Sequence, residues 1–156
     1  GYSIGTGPIV AYQYGAGNHD ELKNVFRKSI KLVISTGIVL TLLAEILNVP
    51  LIKIFASYDQ DMFNMTSHGF RIYAIAFLVI GVNVWGSAFF TALNNGVVSA
   101  AISFLRTLIF QVTAILLLPA VFGIDGVWFA VVAAEMLALL VTTTFLVKNK
   151  DKYQYS

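Results

Sequence analysis

The sequence predicts an all-α, polytopic membrane protein with about four full transmembrane helices and the end of a preceding one. Hydrophobic residues make up 58% of the chain, charged residues make up only 12%, and the mean hydropathy is +0.79. Soluble globular domains have about 45–50% apolar and about 25% charged residues, so the composition excludes that class. Four successive runs of about twenty mostly apolar residues are each long enough to cross a bilayer core.

The composition also excludes several kinds of function. The chain has no cysteine and two histidines, which leaves no disulfide framework and no thiolate metal site. No metal-ligand spacing, phosphate-binding Gly-Lys-Ser/Thr loop or nucleophile with a base is present in the sequence. We therefore expect no enzyme activity, no metal and no cofactor. A net charge of +2 gives no support for nucleic-acid binding.

The first residues read as the end of a helix. Residues 1–14 are apolar and small, too short to span a bilayer, and the chain begins with Gly1 rather than methionine. We therefore expect a fragment that works with a missing N-terminal portion of the same protein. A basic polar segment follows at 15–31, in which Gly15 and Gly17 break the helix and Asn18 and Asp20 are candidate caps for the next one.

The first full span is predicted at residues 32–49, with Pro50 as its end. Glu45 lies in its last turns, where we expect its side chain to reach the outer interface. The stretch 51–67 mixes apolar residues with Lys53 and two aspartates, which is typical of a short interfacial helix and a turn.

The other three spans are predicted at 72–93, 102–122 and 126–147. The first of them contains small or polar residues that favour close helix packing, namely Gly81, Asn83, Gly86 and Ser87. A turn at 94–96 follows it. Arg106 lies near the start of the next span, where we expect an interfacial anchor, and the tail after residue 147 is predicted to be polar.

The distribution of basic residues predicts the orientation in the membrane. If each run crosses once, the segments 15–31, 94–106 and 148–156 lie on one side, and they hold eight of the ten Lys and Arg residues. The positive-inside rule then places the C-terminus in the cytoplasm. We expect a multi-pass protein of the plasma membrane, of the bacterial inner-membrane type.

Glu135 is the leading candidate functional residue because it lies about nine residues into the last span, near the middle of the bilayer. Asn83 and Gln111 fall at a similar depth in the two preceding spans, with Thr113 close by. If these helices pack together, the four side chains form a polar cluster suited to a proton or a cation. The alternative is that Glu135 is permanently protonated and only holds neighbouring helices together.

Three stretches carry a family resemblance: GPIVAYQYGAGN at 7–18, FTALNNG at 90–96, and FGIDGVW at 122–128 followed by AAE at 133–135. In order and spacing they resemble the C-terminal lobe of the multidrug and toxic compound extrusion (MATE) transporters. The resemblance covers essentially the whole chain, from the end of the eighth helix to the twelfth. It implies two six-helix lobes around a central cavity, and export of cationic or aromatic organic compounds by antiport against H⁺ or Na⁺.

One departure from the family pattern limits this inference. Some branches have an acidic coupling residue in the tenth helix, where this chain has Asn83 as its central polar residue. Two alternatives remain at this point. A lipid-linked oligosaccharide flippase of the same superfamily would need more basic residues in its spans than Arg106, and a membrane scaffold without transport would need no convergence of polar residues.

Overall fold

The computed structural model describes residues 1–56 and 58–156, and it is helical almost throughout. The helices are α1 (Tyr2–Gly15), α2 (His19–Ala56), α3 (Gln60–Ala74), α4 (Phe77–Ala92), α5 (Gly96–Phe104), α6 (Gln111–Phe122) and α7 (Ile124–Tyr153), with a π-helical segment (Leu105–Phe110) between α5 and α6. Among the described residues, three helical stretches are long and apolar enough to cross a membrane, namely α2, Gly96–Phe122 and α7. Helices α3 and α4 together form a fourth candidate span, bent by 44°. The predicted all-α membrane bundle is confirmed.

Two short connections end in an asparagine cap, and the sequence predicts the first of these caps. The Asn18 side chain accepts a hydrogen bond from the backbone N–H of Glu21 at 3.3 Å, which caps the start of α2. Asn95 does the same for α5, accepting from the N–H of Val98 at 3.2 Å. Asn94 before it has a φ of +58°, a conformation that asparagine tolerates better than most residues.

The prediction that Pro50 ends the first span is wrong, because α2 continues through Pro50 to Ala56. Proline removes one helical hydrogen bond, and packing against a neighbouring helix compensates for that loss. The Asn48 amide donates to the Ser67 carbonyl oxygen at 3.1 Å, and the Ser67 hydroxyl donates back to the Asn48 side chain at 3.0 Å. The stretch predicted as an interfacial helix is therefore divided between the end of α2 and α3, apart from Ser57, which lies outside the described residues.

The predicted span 72–93 is broken at Ile75 and Ala76, where the axis bends by 44°. At the break the backbone N–H of Ala76 bonds to the Tyr73 carbonyl, three residues back, at 2.9 Å. The Thr41 hydroxyl of α2 lies 3.3 Å from the Ala74 carbonyl oxygen, which gives the last carbonyl of α3 a partner. Gly37 lets the start of α4 approach, since a Cβ atom there would lie 2.8 Å from the Phe77 carbonyl oxygen. The bend is thus stabilised by α2.

Small residues of α4 allow the close packing that the sequence predicts. A Cβ atom on Gly81 would lie 2.8 Å from a methyl group of Val33 on α2. A Cβ atom on Gly86 would overlap the methyl group of Thr142 on α7. Helix α4 therefore packs between α2 and α7.

After α7 ends at Tyr153, the C-terminal tail folds back against the bundle. Gln154 adopts a left-handed conformation (φ 53°), which ends α7 and turns the Tyr155 side chain inward. The Tyr155 ring is fully buried, with its centroid 4.8 Å from that of Phe26 on α2 and 5.0 Å from that of Phe89 on α4. Its hydroxyl donates to the Leu146 carbonyl oxygen at 2.6 Å. Burial, and to a lesser extent Tyr153, raises the pKa of this hydroxyl, so it remains a donor near neutral pH.

We expect Tyr155→Ala to lower the free energy of unfolding by about 3–5 kcal/mol, as is usual when a buried aromatic side chain is removed. Tyr155→Phe keeps the ring contacts and loses one hydrogen bond, for a cost of about 1 kcal/mol. Thermal unfolding of the detergent-solubilised protein measures both. Tyr58→Ala is the control, because the Tyr58 side chain is 77% exposed. Equal stability of the two Tyr155 variants would contradict the role of the buried ring.

Candidate functional site

The candidate site lies where α4 and the π-helical segment meet the middle of α7. The buried face of α7 consists mainly of small residues, including Ala130, Ala134 and Ala138. Small side chains let neighbouring helices approach closely. Glu135 is the charged residue on this face, with a side chain that is only 7% exposed. The local packing therefore places one carboxylate among small side chains at a helix contact.

Asn83 of α4 holds the carboxylate from one side. Its side-chain Nδ2 donates to Oε2 of Glu135 at 2.8 Å and to the backbone carbonyl oxygen of Glu135 at 2.9 Å. Asn83 itself is fully buried. Its Oδ1 atom, also buried, has no hydrogen-bond partner among the described residues. The site thus includes one hydrogen-bond acceptor that no protein donor reaches.

Arg106 holds the carboxylate from the other side. Its Nε donates to Oε1 and Oε2 of Glu135 at 2.8 and 3.0 Å, and its Nη2 lies 2.7 Å from Oε1. The expectation that Arg106 is an interfacial anchor is therefore corrected. The predicted span began at Ile102, whereas the helix begins at Gly96, so Arg106 lies ten residues into it, about 15 Å along the axis.

Arg106 belongs to the π-helical segment. There the backbone N–H of Gln111 bonds to the Arg106 carbonyl oxygen, five residues back instead of four. Such segments are rare and occur frequently at functional sites. The wider turn also changes which residues after it face α7.

The structure brings Glu135 and Asn83 together but leaves Gln111 and Thr113 apart from them. Gln111 is half-buried and Thr113 is exposed. Neither side chain is a hydrogen-bond partner of Glu135 in the part of the chain that the structure describes. Glu45 lies at the exposed surface, as expected, with its carboxylate 3.8 Å from Arg71 Nε.

Sequence reasoning missed Arg106 as the partner of Glu135, although a signal was present. Within the predicted spans 72–93, 102–122 and 126–147, Arg106 and Glu135 are the charged residues, one of each sign. Buried charges in membrane spans usually pair with one another. Pairing the two opposite charges of these spans, instead of comparing residue depths alone, would have predicted the contact between Arg106 and Glu135.

Together the three side chains form a neutral, buried polar cluster. The attraction between the two charges is strong in a low-dielectric surrounding, but removing either charge would leave the other without compensation. Protonation or ion exchange at Glu135 would therefore change how α7 is held against α4 and the π-helical segment.

Comparison with known families identifies the chain. The MatE family matches residues 1–117, which extends from α1 into α6 and includes Asn83 and Arg106. Among the curated proteins and among the solved structures, no match was found. Because the family match covers three quarters of the chain, this protein belongs to the MATE family and is a multi-pass membrane transporter.

Proposed function

We propose that this chain is part of a secondary transporter that exports cationic or aromatic organic compounds in exchange for H⁺ or Na⁺. The observation that carries the proposal is the buried carboxylate of Glu135, which residues of two other helical elements contact. An ionisable group at this depth in a membrane protein is costly, and such groups are commonly used for ion coupling. The family membership supplies the transport function to which this coupling would belong.

Occupancy of Glu135 by an ion would act on the contacts between helices. The carboxylate receives hydrogen bonds from Asn83 on α4 and from Arg106 on the π-helical segment. Loss of its charge weakens the bonds from Arg106, because charge-assisted hydrogen bonds are about twice as strong as neutral ones. The packing of α7 against its neighbours would then depend on the bound ion, as antiport requires.

The cluster also bears on the two alternatives. A scaffold without transport needs no convergence of polar groups, whereas three side chains from distant parts of the sequence meet here. A flippase for lipid-linked oligosaccharides needs free basic groups for a pyrophosphate. Arg106 is already paired with Glu135, which argues against that use. Both observations favour the antiporter.

Exposed aromatic side chains support an organic substrate. Phe104 and Phe129 are exposed on the surface of the bundle, and Phe77 lines a groove of about 280 Å³ between α1, α2 and α4. Aromatic faces attract flat and cationic molecules. By contrast, Trp85 and Phe89 are packed in the core and are unavailable for this purpose.

The docked tail supports a cytoplasmic C-terminus. Because Tyr155 packs against Phe26, the tail lies at the same end of the bundle as the start of α2. The basic residues of both segments therefore lie at the same end of the bundle. These residues are Lys23, Arg27, Lys28, Lys31, Lys148, Lys150 and Lys152. By the positive-inside rule we infer that this end is cytoplasmic, and we propose the plasma membrane as the location of the protein.

We expect Glu135→Gln in the full-length transporter to reduce ion-coupled efflux about tenfold or more, a loss that corresponds to about 1.4 kcal/mol in the activation barrier. Glutamine retains an acceptor for Asn83 but cannot exchange a proton or carry a charge. Efflux from proteoliposomes with an imposed H⁺ or Na⁺ gradient measures the loss. Glu45→Gln, at an exposed carboxylate, is the matched control. Undiminished efflux with an unchanged dependence on pH and Na⁺ would disprove the proposal.

A further inference from the structure

We propose that Arg106 is the internal cation that a proton displaces from Glu135, so that this site couples transport to H⁺ and not to Na⁺. The inference rests on the proposed function, since it assigns a coupling ion and a moving residue to the same site. Three features of the cluster support it. Arg106 and Asn83 contact both oxygens of the Glu135 carboxylate. Asn83 Oδ1 has no partner among the described residues, and the Arg106 side chain is more exposed than that of Glu135.

The carboxylate of Glu135 has no room for a metal ion while Arg106 is in place. Oε1 is contacted by Nε and Nη2 of Arg106, and Oε2 is contacted by Nε of Arg106 and Nδ2 of Asn83. These four contacts fill the roughly four lone-pair positions of a carboxylate. Na⁺ would have to bind beside a guanidinium group in a low-dielectric surrounding, where two positive charges repel strongly.

A proton, by contrast, has a place in the cluster. Protonated Glu135 gains an O–H donor, and the buried Oδ1 of Asn83 is an acceptor without a partner among the described residues. Because Asn83 Nδ2 already donates to Glu135, the carboxylic acid and the amide could then pair in both directions. Protonation of Glu135 thus supplies a donor that Asn83 Oδ1 lacks among the described residues.

In this exchange a proton takes the place of Arg106 at Glu135. A proton from water forms an O–H bond on Oε1 of Glu135, the carboxyl oxygen that Asn83 Nδ2 does not contact, and the hydrogen bonds and ion pair with Arg106 break. Arg106 keeps its positive charge and leaves, while Asn83 keeps its bond to the backbone carbonyl of Glu135. Loss of the proton restores the pair.

Arg106 is the partner positioned to move. Its side chain is 23% exposed, against 7% for Glu135, so part of this side chain already reaches the surface of the bundle. It belongs to a π-helical segment, a kind of distortion that is frequent at functional sites. Asn83, in contrast, is fully buried within regular helix α4.

In the described part of the chain, no other charged group faces this carboxylate. Helices α4, α5 and α6, which pack against α7, contain no Asp, Glu, Lys, Arg or His. Helix α3 carries Asp61, His68 and Arg71, and His68 pairs with Asp125 at the start of α7, at 3.2 Å. Asp125 precedes Glu135 by ten residues, which is about 15 Å of helix.

The first test uses the wild-type full-length transporter in proteoliposomes, so it does not depend on a variant folding correctly. We expect a pH gradient alone to drive efflux of an organic cation such as ethidium, and a Na⁺ gradient at equal pH to have no effect. Efflux driven by Na⁺ and abolished by Glu135→Gln would overturn the inference but leave the proposed function intact. Efflux driven by neither gradient would overturn both.

The second test uses the pH dependence of efflux in Arg106→Gln. Because the proton then has no cation to displace, half-maximal efflux should occur at a higher pH than in the wild-type transporter. Arg106→Lys retains the charge and should stay close to wild type. Arg71→Gln, which removes an exposed arginine, is the matched control and should not shift the profile. A purely structural Arg106 would alter stability and leave the pH profile of the folded transporter unchanged, which would also overturn the inference.

Discussion

Replacing Arg106 with leucine is expected to lower the free energy of unfolding by about 3–5 kcal/mol, the usual cost of removing one partner of a buried ion pair. The change leaves the Glu135 carboxylate inside the bundle without its counter-ion, with Asn83 as its remaining donor. Thermal unfolding of the purified protein in detergent measures the loss. The control is Arg71→Leu, because the Arg71 side chain is exposed and lies 3.8 Å from an exposed carboxylate.

The double variant Arg106→Leu with Glu135→Leu tests whether the loss of stability in Arg106→Leu comes from the uncompensated charge or from altered packing. Removing both charges replaces the pair with apolar side chains, a change that is often neutral or stabilising in a protein interior. We therefore expect the double variant to recover most of the stability that Arg106→Leu loses. A double variant that is less stable than both single variants would contradict the view that the uncompensated charge causes the loss.

Gly126→Val is expected to destabilise the protein by about 3 kcal/mol or more, at the upper end of the cost of overpacking. A Cβ atom at this position would overlap the backbone of Leu118 and Pro119, which cannot turn aside as a side chain would. Helices α6 and α7 would have to separate at the point where the chain turns between them. Thermal unfolding again gives the magnitude.

Gly96→Val is the matched control for this glycine. Gly96 is in the first turn of α5, and a Cβ atom built there meets no other atom within 4 Å. Valine also has a higher helix propensity than glycine, so the substitution should be nearly neutral. A similar loss of stability in both variants would indicate a general effect of valine and not the close approach of α6 and α7.

The spans were predictable from sequence because bilayer thickness sets the length of an apolar run, and three of the four predicted runs lie within continuous helical structure. The contact between Asn83 and Glu135 was predictable from depth, since residues at equal depth on neighbouring helices can meet. Depth does not say which way a side chain points, however. Gln111 and Thr113 follow the π-helical segment, which rotates the residues after it relative to α7. The sequence gives no signal for this segment.

Other features depend on residues far away in the chain. The bend between α3 and α4 contains neither proline nor glycine, and its stabilising contacts come from Gly37 and Thr41 on α2. Helix α2 continues beyond Pro50, and just before that proline Asn48 pairs with Ser67 of α3. Such features require the packing of the bundle to be known, so a window of local sequence cannot reveal them.

The length of α2 has a mechanical consequence. Its 38 residues correspond to about 57 Å, almost twice the thickness of a bilayer core of about 30 Å. Near one end its Phe26 ring contacts Tyr155, and in its other half Thr41 and Asn48 bond to α3. A tilt of about 10° would carry one end of such a rod about 10 Å relative to the other. Any tilt of α2 would therefore displace the contact at Phe26 and the contacts at Thr41 and Asn48 by different distances.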